Sequence, residues 1–131
     1  MTQSLFLALV GVVLLLYVLR FLRTRNVRQY SPAEAKERLA GREGILFLDV
    51  RTDGERKFNH IQGSLHIPLH QLRARAEELA RHREREIVCY CQSGNRSVSA
   101  ALILQRKGFR AASLRGGIVD WNFQHADGRR G

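Results

Sequence analysis

Cysteine is nearly absent from this chain: Cys89 and Cys91 are the only two in 131 residues. On an extended strand, Cα atoms two residues apart lie about 6.5–7 Å from each other on one face, the upper edge of disulfide geometry. Two cysteines and five histidines exclude a disulfide-rich scaffold, and a pair of free thiols points to a reducing compartment. Acidic residues are missing from the first thirty positions, where Arg20, Arg23, Arg25 and Arg28 fall within nine residues. The overall charge of +10 would suggest nucleic acid if it were clustered on the folded part. Beyond Ser31, however, most basic residues are interleaved with acidic ones, as in "RARAEELARHRERE", the pattern of a solvated helix face. A recognition-helix signature and the interleaved aromatics of an RNA-binding sheet are both lacking, so no nucleic-acid partner is expected.

Charge is lacking altogether from Leu5 to Leu19, "LFLALVGVVLLLYVL". With Ser4, Phe21 and Leu22 the run approaches the ~20 residues that an α-helix needs to cross ~30 Å of hydrocarbon. A cleaved signal peptide would place small residues at a cut site after the apolar core. Here "YVLRFLRTR" follows, without an A-x-A pattern. The reading is a membrane anchor over 1–22 and a basic linker over 23–30. A folded domain follows over 31–125, with a polar tail over 126–131. The arginines after the span put its C-terminal side in the cytoplasm, with the N-terminus outside and the span in the cell (inner) membrane. In the linker they would also meet anionic lipid head groups.

What is present beyond residue 30 reads as alternating helices and strands. "SPAEAKERLAG" is a helix capped by Ser31, with Pro32 at its first position, Glu34 closing a capping box and Gly41 ending it. "ILFLDV" and "EIVCYC" are apolar runs suited to strands covered on both faces. "DGERKF" is a short helical turn, and "HIQGSLHIPL" a loop with a short strand limited by Pro68. "HQLRARAEELARHRE" is a helix with Leu72, Ala76 and Leu79 inward. "SVSAALILQRKG" is a helix with Ser97 near its cap and Gly108 after it, "FRAASL" a strand, and "GGIVDWNFQ" the start of a last helix. This alternation predicts an α/β fold: an open, mostly parallel sheet with helices on both faces. Ligands in such sheets bind beyond the carboxyl ends of strands, and two of those ends carry Asp49–Arg51 and Cys91.

Cys91 ends an apolar run and is followed by Gln92, Ser93, Gly94, Asn95, Arg96 and Ser97, a tight polar loop that leads into a helix. Such a loop turns backbone N–H groups inward as an anion nest, and the helix start adds partial positive charge. With Arg96 nearby, these features lower a thiol's pKa from ~8.5 and hold a thiolate. A structural cysteine needs none of them. Cys91 is therefore read as reactive, and Cys89, between Val88 and Tyr90, as core.

Four segments then carry a resemblance: "LDVR" (48–51), "FNHIQGSLHIPL" (58–69), "CYCQSGNRS" (89–97) and "LRGGIVDW" (114–121). In order and spacing they resemble the rhodanese-like domain family, over about residues 31–125, and the anchor is similar to that of membrane-tethered single-domain members. The resemblance implies sulfurtransferase chemistry. Cys91 would take the outer sulfur of a donor such as thiosulfate as a persulfide and pass it to a cyanide-like acceptor or a thiol, including a partner protein's cysteine. Amides from Gln92 to Ser97 would cradle the persulfide or the leaving anion. Many members have a basic residue where this chain has neutral Gln92, and Arg96 is expected to supply that charge. Asp49 and Arg51 would hold the loop by hydrogen bonds and a charge pair, with Glu55 as a further partner for Arg51. His60 would fix loops rather than act as a base. Gly116 and Gly117 would let a backbone turn pass close to the active loop, and Trp121 would pack. No cofactor and no metal are called for: Cys-x-Cys is too short for the usual zinc spacing, and His66 and His70 straddle Pro68.

Two alternatives stand beside this reading. One is a non-catalytic, membrane-tethered docking or sulfur-carrier module of the same fold. The other is a cysteine-dependent phosphatase or arsenate reductase. Phosphatases of that kind need the arginine six positions after the cysteine, whereas Arg96 stands five after Cys91.

Overall fold

A computed structural model describes residues 1–24, 26–40 and 44–127. Gly41, expected to end the first helix of the domain, and Arg25 of the basic run lie outside the described residues. So do 128–131 of the tail.

Helix α1 (Thr2–Thr24) stands apart from the domain core, its apolar side chains exposed. Its segment Thr2–Arg23 is long and apolar enough to cross a membrane. The rest of the chain alternates: β1 (Gln29–Tyr30), α2 (Pro32–Ala40), β2 (Leu46–Asp49), α3 (Asp53–Phe58), β3 (Leu65–His66), α4 (Leu69–Arg75), β4 (Ile87–Tyr90), α5 (Asn95–Arg106), β5 (Ala111–Leu114) and α6 (Gly117–Asp127). The five strands form one sheet in the order β1-β5-β4-β2-β3, parallel throughout.

Side chains alternate across this sheet with period two. Leu46, Leu48, Ile87, Cys89 and Ala111 face Leu72, Ala76, Leu79, Ala100, Ala101 and Leu104 in one core layer. Phe47, Val88, Tyr90, Ala112 and Leu114 face Tyr30, Ala35, Ile118 and Trp121 in the other. Helices thus cover both faces, and strands buried on two sides show the unbroken apolar runs seen in the sequence. Trp121 packs edge-on to Phe47 with centroids 5.1 Å apart, as expected of a core residue.

Two local expectations are corrected. The basic linker over 23–30 contains an edge strand: Gln29 and Tyr30 pair with Ser113 and Leu114. Tyr30 is 1% exposed, and its hydroxyl donates to Glu86. A two-residue strand is too short for alternation to reveal. The helix expected over "HQLRARAEELARHRE" is divided into α4 and a 3-10 segment, Ala76–His82, although Leu72, Ala76 and Leu79 remain its buried stripe. Ser97 lies near the cap of α5, as expected, but is not its first residue. That helix begins two residues earlier, behind Gly94 in a left-handed conformation (φ 109°). At the start of α2, Glu34 N–H donates to Ser31 Oγ at 3.2 Å, and Ser31 Oγ donates back to the Glu34 carboxylate at 3.1 Å.

The chain adds β3 on one side of β2 and then crosses to place β4 and β5 on the other. The order therefore reverses between β2 and β4, the point in an open parallel sheet where a crevice forms beyond the strand ends. Asp49 ends β2, and Cys91 immediately follows β4.

Candidate functional site

Cys91 is 1% exposed, on the α5 side of the sheet. Its loop is fixed from α6. Ile118 N–H donates to Cys91 O at 2.9 Å, and Val119 N–H to Gln92 O at 3.3 Å, so orphan donors of the α6 N-terminus are satisfied by loop carbonyls. Because a trans peptide sets its N–H opposite its C=O, the Gln92 and Ser93 N–H groups point away from α6. This contact requires Gly117. A Cβ there would lie 2.4 Å from both Cys91 O and Gln92 O, and its φ is 61°. Gly94 also comes near the same turn, less tightly: a Cβ would stand 3.3 Å from Gly116 N. The expected close passage of the Gly116–Gly117 turn is what the backbone shows.

Gly94 N–H donates to Cys91 Sγ at 3.0 Å, and Ser97 Oγ lies 3.5 Å from the same sulfur. Ser97 Oγ is also 3.0 Å from Gly94 O and 2.8 Å from Ser113 Oγ. The Ser97 proton can therefore rest on the Gly94 carbonyl or turn to the sulfur when the thiol ionises, with Ser113 free to donate to Ser97. Burial works against ionisation of Cys91, but the Ser97 hydroxyl and the amides of Ser97, Gly94 and Ser93 outweigh it and hold the thiol below its ordinary value. Cys89, two residues earlier on the same face, is fully buried without such donors, and burial pushes its thiol far up. The surroundings thus act in opposite senses on the two thiols, lowering one and raising the other.

Beneath the loop lies a buried ion pair. Arg51, 1% exposed, donates from Nε to Asp49 Oδ1 at 3.0 Å and from Nη2 to Asp49 Oδ2 at 2.9 Å. It also reaches Asn59 O at 2.6 Å, Asn59 Oδ1 at 3.1 Å and Gln92 Oε1 at 3.3 Å. The expected charge pair is present, and Gln92 is tied to it as an acceptor. Burial opposes the charge on Asp49, yet the Arg51 hydrogen bonds keep its carboxyl below the usual range. Tyr90 completes the set: its hydroxyl donates to Asp49 Oδ2 at 3.0 Å, accepts from Ile61 N–H at 3.1 Å and lies 2.9 Å from Ser64 Oγ.

Two expected partners differ. Glu55 does not pair with Arg51. It closes a capping box with Thr52 at the start of α3 and grips Arg96 with both oxygens, at 2.7 and 2.8 Å. The Arg96 contact pulls the Glu55 carboxyl down to about 2. The cation expected to supply charge beside Cys91 is thus already compensated. His60 does not fix the loops: it is exposed and makes no hydrogen bond among the described residues. His66 does so instead, its Nε2–H donating to Arg51 O at 2.8 Å. Asn95 is exposed at the start of α5.

Ser113, Tyr90, Asn59 and Ser64 were not singled out from the sequence. The available signal was a serine inside the apolar strand "FRAASL" and a tyrosine beside the loop cysteine, both of which need buried partners.

A family model for the rhodanese-like domain matches residues 31–124. A sulfurtransferase of Allochromatium vinosum is 35% identical over 96 residues, covering 72% of this chain and 88% of that protein. A putative sulfurtransferase of Bacillus subtilis is 30% identical over 96 residues, covering 73% and 91%. The crystal structure of a rhodanese-related protein from Thermoplasma volcanium superposes with a TM-score of 0.67 at 30% identity, covering 74% of this chain and 92% of that one.

Proposed function

The chain belongs to the rhodanese-like domain family, and from that premise we propose that it moves sulfane sulfur through a persulfide on Cys91. The observation that carries this reading is the cradle itself: a buried thiol with Gly94 N–H at 3.0 Å and Ser97 Oγ at 3.5 Å, held below its ordinary pKa. In the first half-reaction the Cys91 thiolate attacks the outer sulfur of a donor such as thiosulfate. A new S–S bond forms at Sγ, the donor's S–S bond breaks, and sulfite leaves with the bonding pair. In the second, cyanide or a thiolate attacks the outer persulfide sulfur, and the Cys91 thiolate departs. The loop amides hold a single negative charge at both resting points.

Asp49 and Arg51 act as framework in this reading, positioning Gln92 from below. With Arg96 held by Glu55, the loop offers no uncompensated guanidinium for a phosphate dianion, and this weighs against the phosphatase alternative. The segment Thr2–Arg23 serves as a single-pass anchor, and the arginines after it keep the catalytic domain in the cytoplasm.

The test is intact-protein mass spectrometry of the full chain in detergent, before and after thiosulfate, alongside Cys91→Ser. The expected result is one added sulfur atom in the wild type, removed by cyanide as thiocyanate, and none in the variant. No gain with thiosulfate, polysulfide or an organic persulfide would overturn the assignment. Loading without thiocyanate release would favour the carrier module over the enzyme.

A further inference from the structure

The last turns of α1 do not simply lead away from the domain. Leu16, Leu19, Arg20 and Arg23 form one wall of a groove of about 330 Å³, and Arg73 of α4 with Ser99, Leu102, Ile103 and Arg106 of α5 forms the other. Its lining is unusual in two respects. Four arginines converge on it, two from the helix and two from the domain, and none has a carboxylate partner among the described residues. Neighbouring arginines do: Arg75 is held by Glu78, Arg83 reaches Glu77, and Arg96 is held by Glu55. The second respect is an apolar floor, in which Leu102 and Ile103 are half-buried on the outer face of α5 while Leu16 and Leu19 continue upward into the apolar span.

Like charges gathered without counter-charge repel one another unless an anion joins them. The anion that suits this groove has a phosphate at the level of Arg20 and Arg23 and a hydrocarbon portion that can follow Leu19 and Leu16. A soluble phosphate meets the first requirement only, whereas an anionic phospholipid meets both.

We propose that this groove is a binding site for an anionic membrane phospholipid, its phosphate held by Arg20, Arg23, Arg73 and Arg106 and its acyl chains lying along Leu16 and Leu19. The site rests on the reading of α1 as a membrane anchor. By joining helix and domain through one lipid, it fixes which face of the domain meets the bilayer: α4 and the outer face of α5. A linker alone would leave the domain free to turn.

The experiment uses the full chain in neutral detergent micelles, titrated with phosphatidylglycerol, phosphatidylcholine or glycerol 3-phosphate, with the retained species read by native mass spectrometry. The double variant Arg73→Gln/Arg106→Gln changes only exposed side chains on the domain wall. The expected result is one retained phosphatidylglycerol per chain and no retained phosphatidylcholine or glycerol 3-phosphate. At a polybasic surface each arginine changes anionic-lipid affinity severalfold, so the double variant should bind roughly 30-fold more weakly. Equal retention of the two lipids, or unchanged affinity in the variant, would overturn the site. Retention of glycerol 3-phosphate as strongly as the lipid would overturn the lipid as its occupant. Carbonate extraction of membranes that express the chain reports on the anchor separately. A chain released by carbonate overturns anchor and lipid site together, whereas one that stays in the membrane but is indifferent to phosphatidylglycerol overturns the lipid site alone.

Discussion

Glu55→Gln removes one charge and almost no volume, and it tests how the loop is held. Glu55 grips Arg96 at 2.7 and 2.8 Å while closing the α3 capping box. Its carboxyl is lowered from 4.5 to about 2, a displacement equivalent to about 3.4 kcal/mol if none of it were screened. The Arg96 and Glu55 side chains are 38% and 30% exposed, so solvent screening reduces the expected loss to about 1–2 kcal/mol. In a domain of this size that corresponds to a fall in melting temperature of roughly 5–15 °C. The sign with pH follows from the direction of the shift. A carboxylate held below its unfolded value stabilises the fold fully above about pH 4.5, and that contribution is lost as pH falls towards 2. Urea unfolding of the full chain in detergent, wild type against variant, should show a gap at pH 7 that closes between pH 4.5 and 2. A second effect runs the other way: Arg96, freed from its carboxylate, becomes an uncompensated cation beside Cys91, so alkylation of Cys91 should shift to lower pH. A gap that is absent at pH 7, or one that persists unchanged at pH 2.5, would refute this account of the ion pair.

The two thiols should separate cleanly under iodoacetamide. Cys91 should react with a midpoint below that of a free cysteine and Cys89 only after denaturation, as peptide mapping will show. Ser113→Ala should raise the Cys91 midpoint by removing the donor behind Ser97, and an unshifted midpoint would exclude Ser113 from that relay. Tyr90→Phe leaves the buried Ile61 N–H without its partner and takes one donor from Asp49 Oδ2, which keeps its Arg51 hydrogen bonds, so denaturant unfolding should report a loss of about 1–3 kcal/mol. Gly117→Ala places a methyl 2.4 Å from two loop carbonyls at φ 61°. Because the loop must shift, sulfur uptake by Cys91 should fall at least tenfold, measured by mass spectrometry on protein whose circular dichroism is still native.

Most of the fold was legible because its signals are local. The apolar runs 45–50 and 86–90 had to be covered on both faces, and strand-helix alternation with short connections leaves few topologies besides a parallel sheet. The cysteine loop was legible for the same reason, with a strand end, a glycine and a helix start lying within seven residues. What escaped were choices of partner made in space. Nothing along the chain says that Glu55 will meet Arg96, 41 positions away, rather than the nearer Arg51. Arg51 is taken by Asp49 at the strand end, and α3 carries Glu55 past it to the loop. His60 precedes the turn that leads into β3 and His66 ends that strand, and only the β2–β3 register, which sets Asp49 beside His66, turns the second one inward. The strand at Gln29–Tyr30 escaped because two residues carry no period.

The arrangement also bears on why a compensated loop suits the proposed cycle. A thiolate and the persulfide that replaces it each carry one negative charge, so the site needs no extra cation to accommodate the change; it needs donors placed at two depths. Gly94 N–H already meets Sγ at 3.0 Å, and the loop peptides whose carbonyls are tied to Ile118 and Val119 turn their N–H groups to the other side. Had Arg96 been left unpaired, its charge would lower the Cys91 pKa further and weaken the thiolate as a nucleophile, and a cationic loop would hold back the departing sulfite. Glu55 removes that excess charge while Gly117 keeps the amides in place. On this argument the selectivity for a sulfur atom resides in the backbone of residues 92–94 and in the helix that pins it, more than in any formal charge nearby.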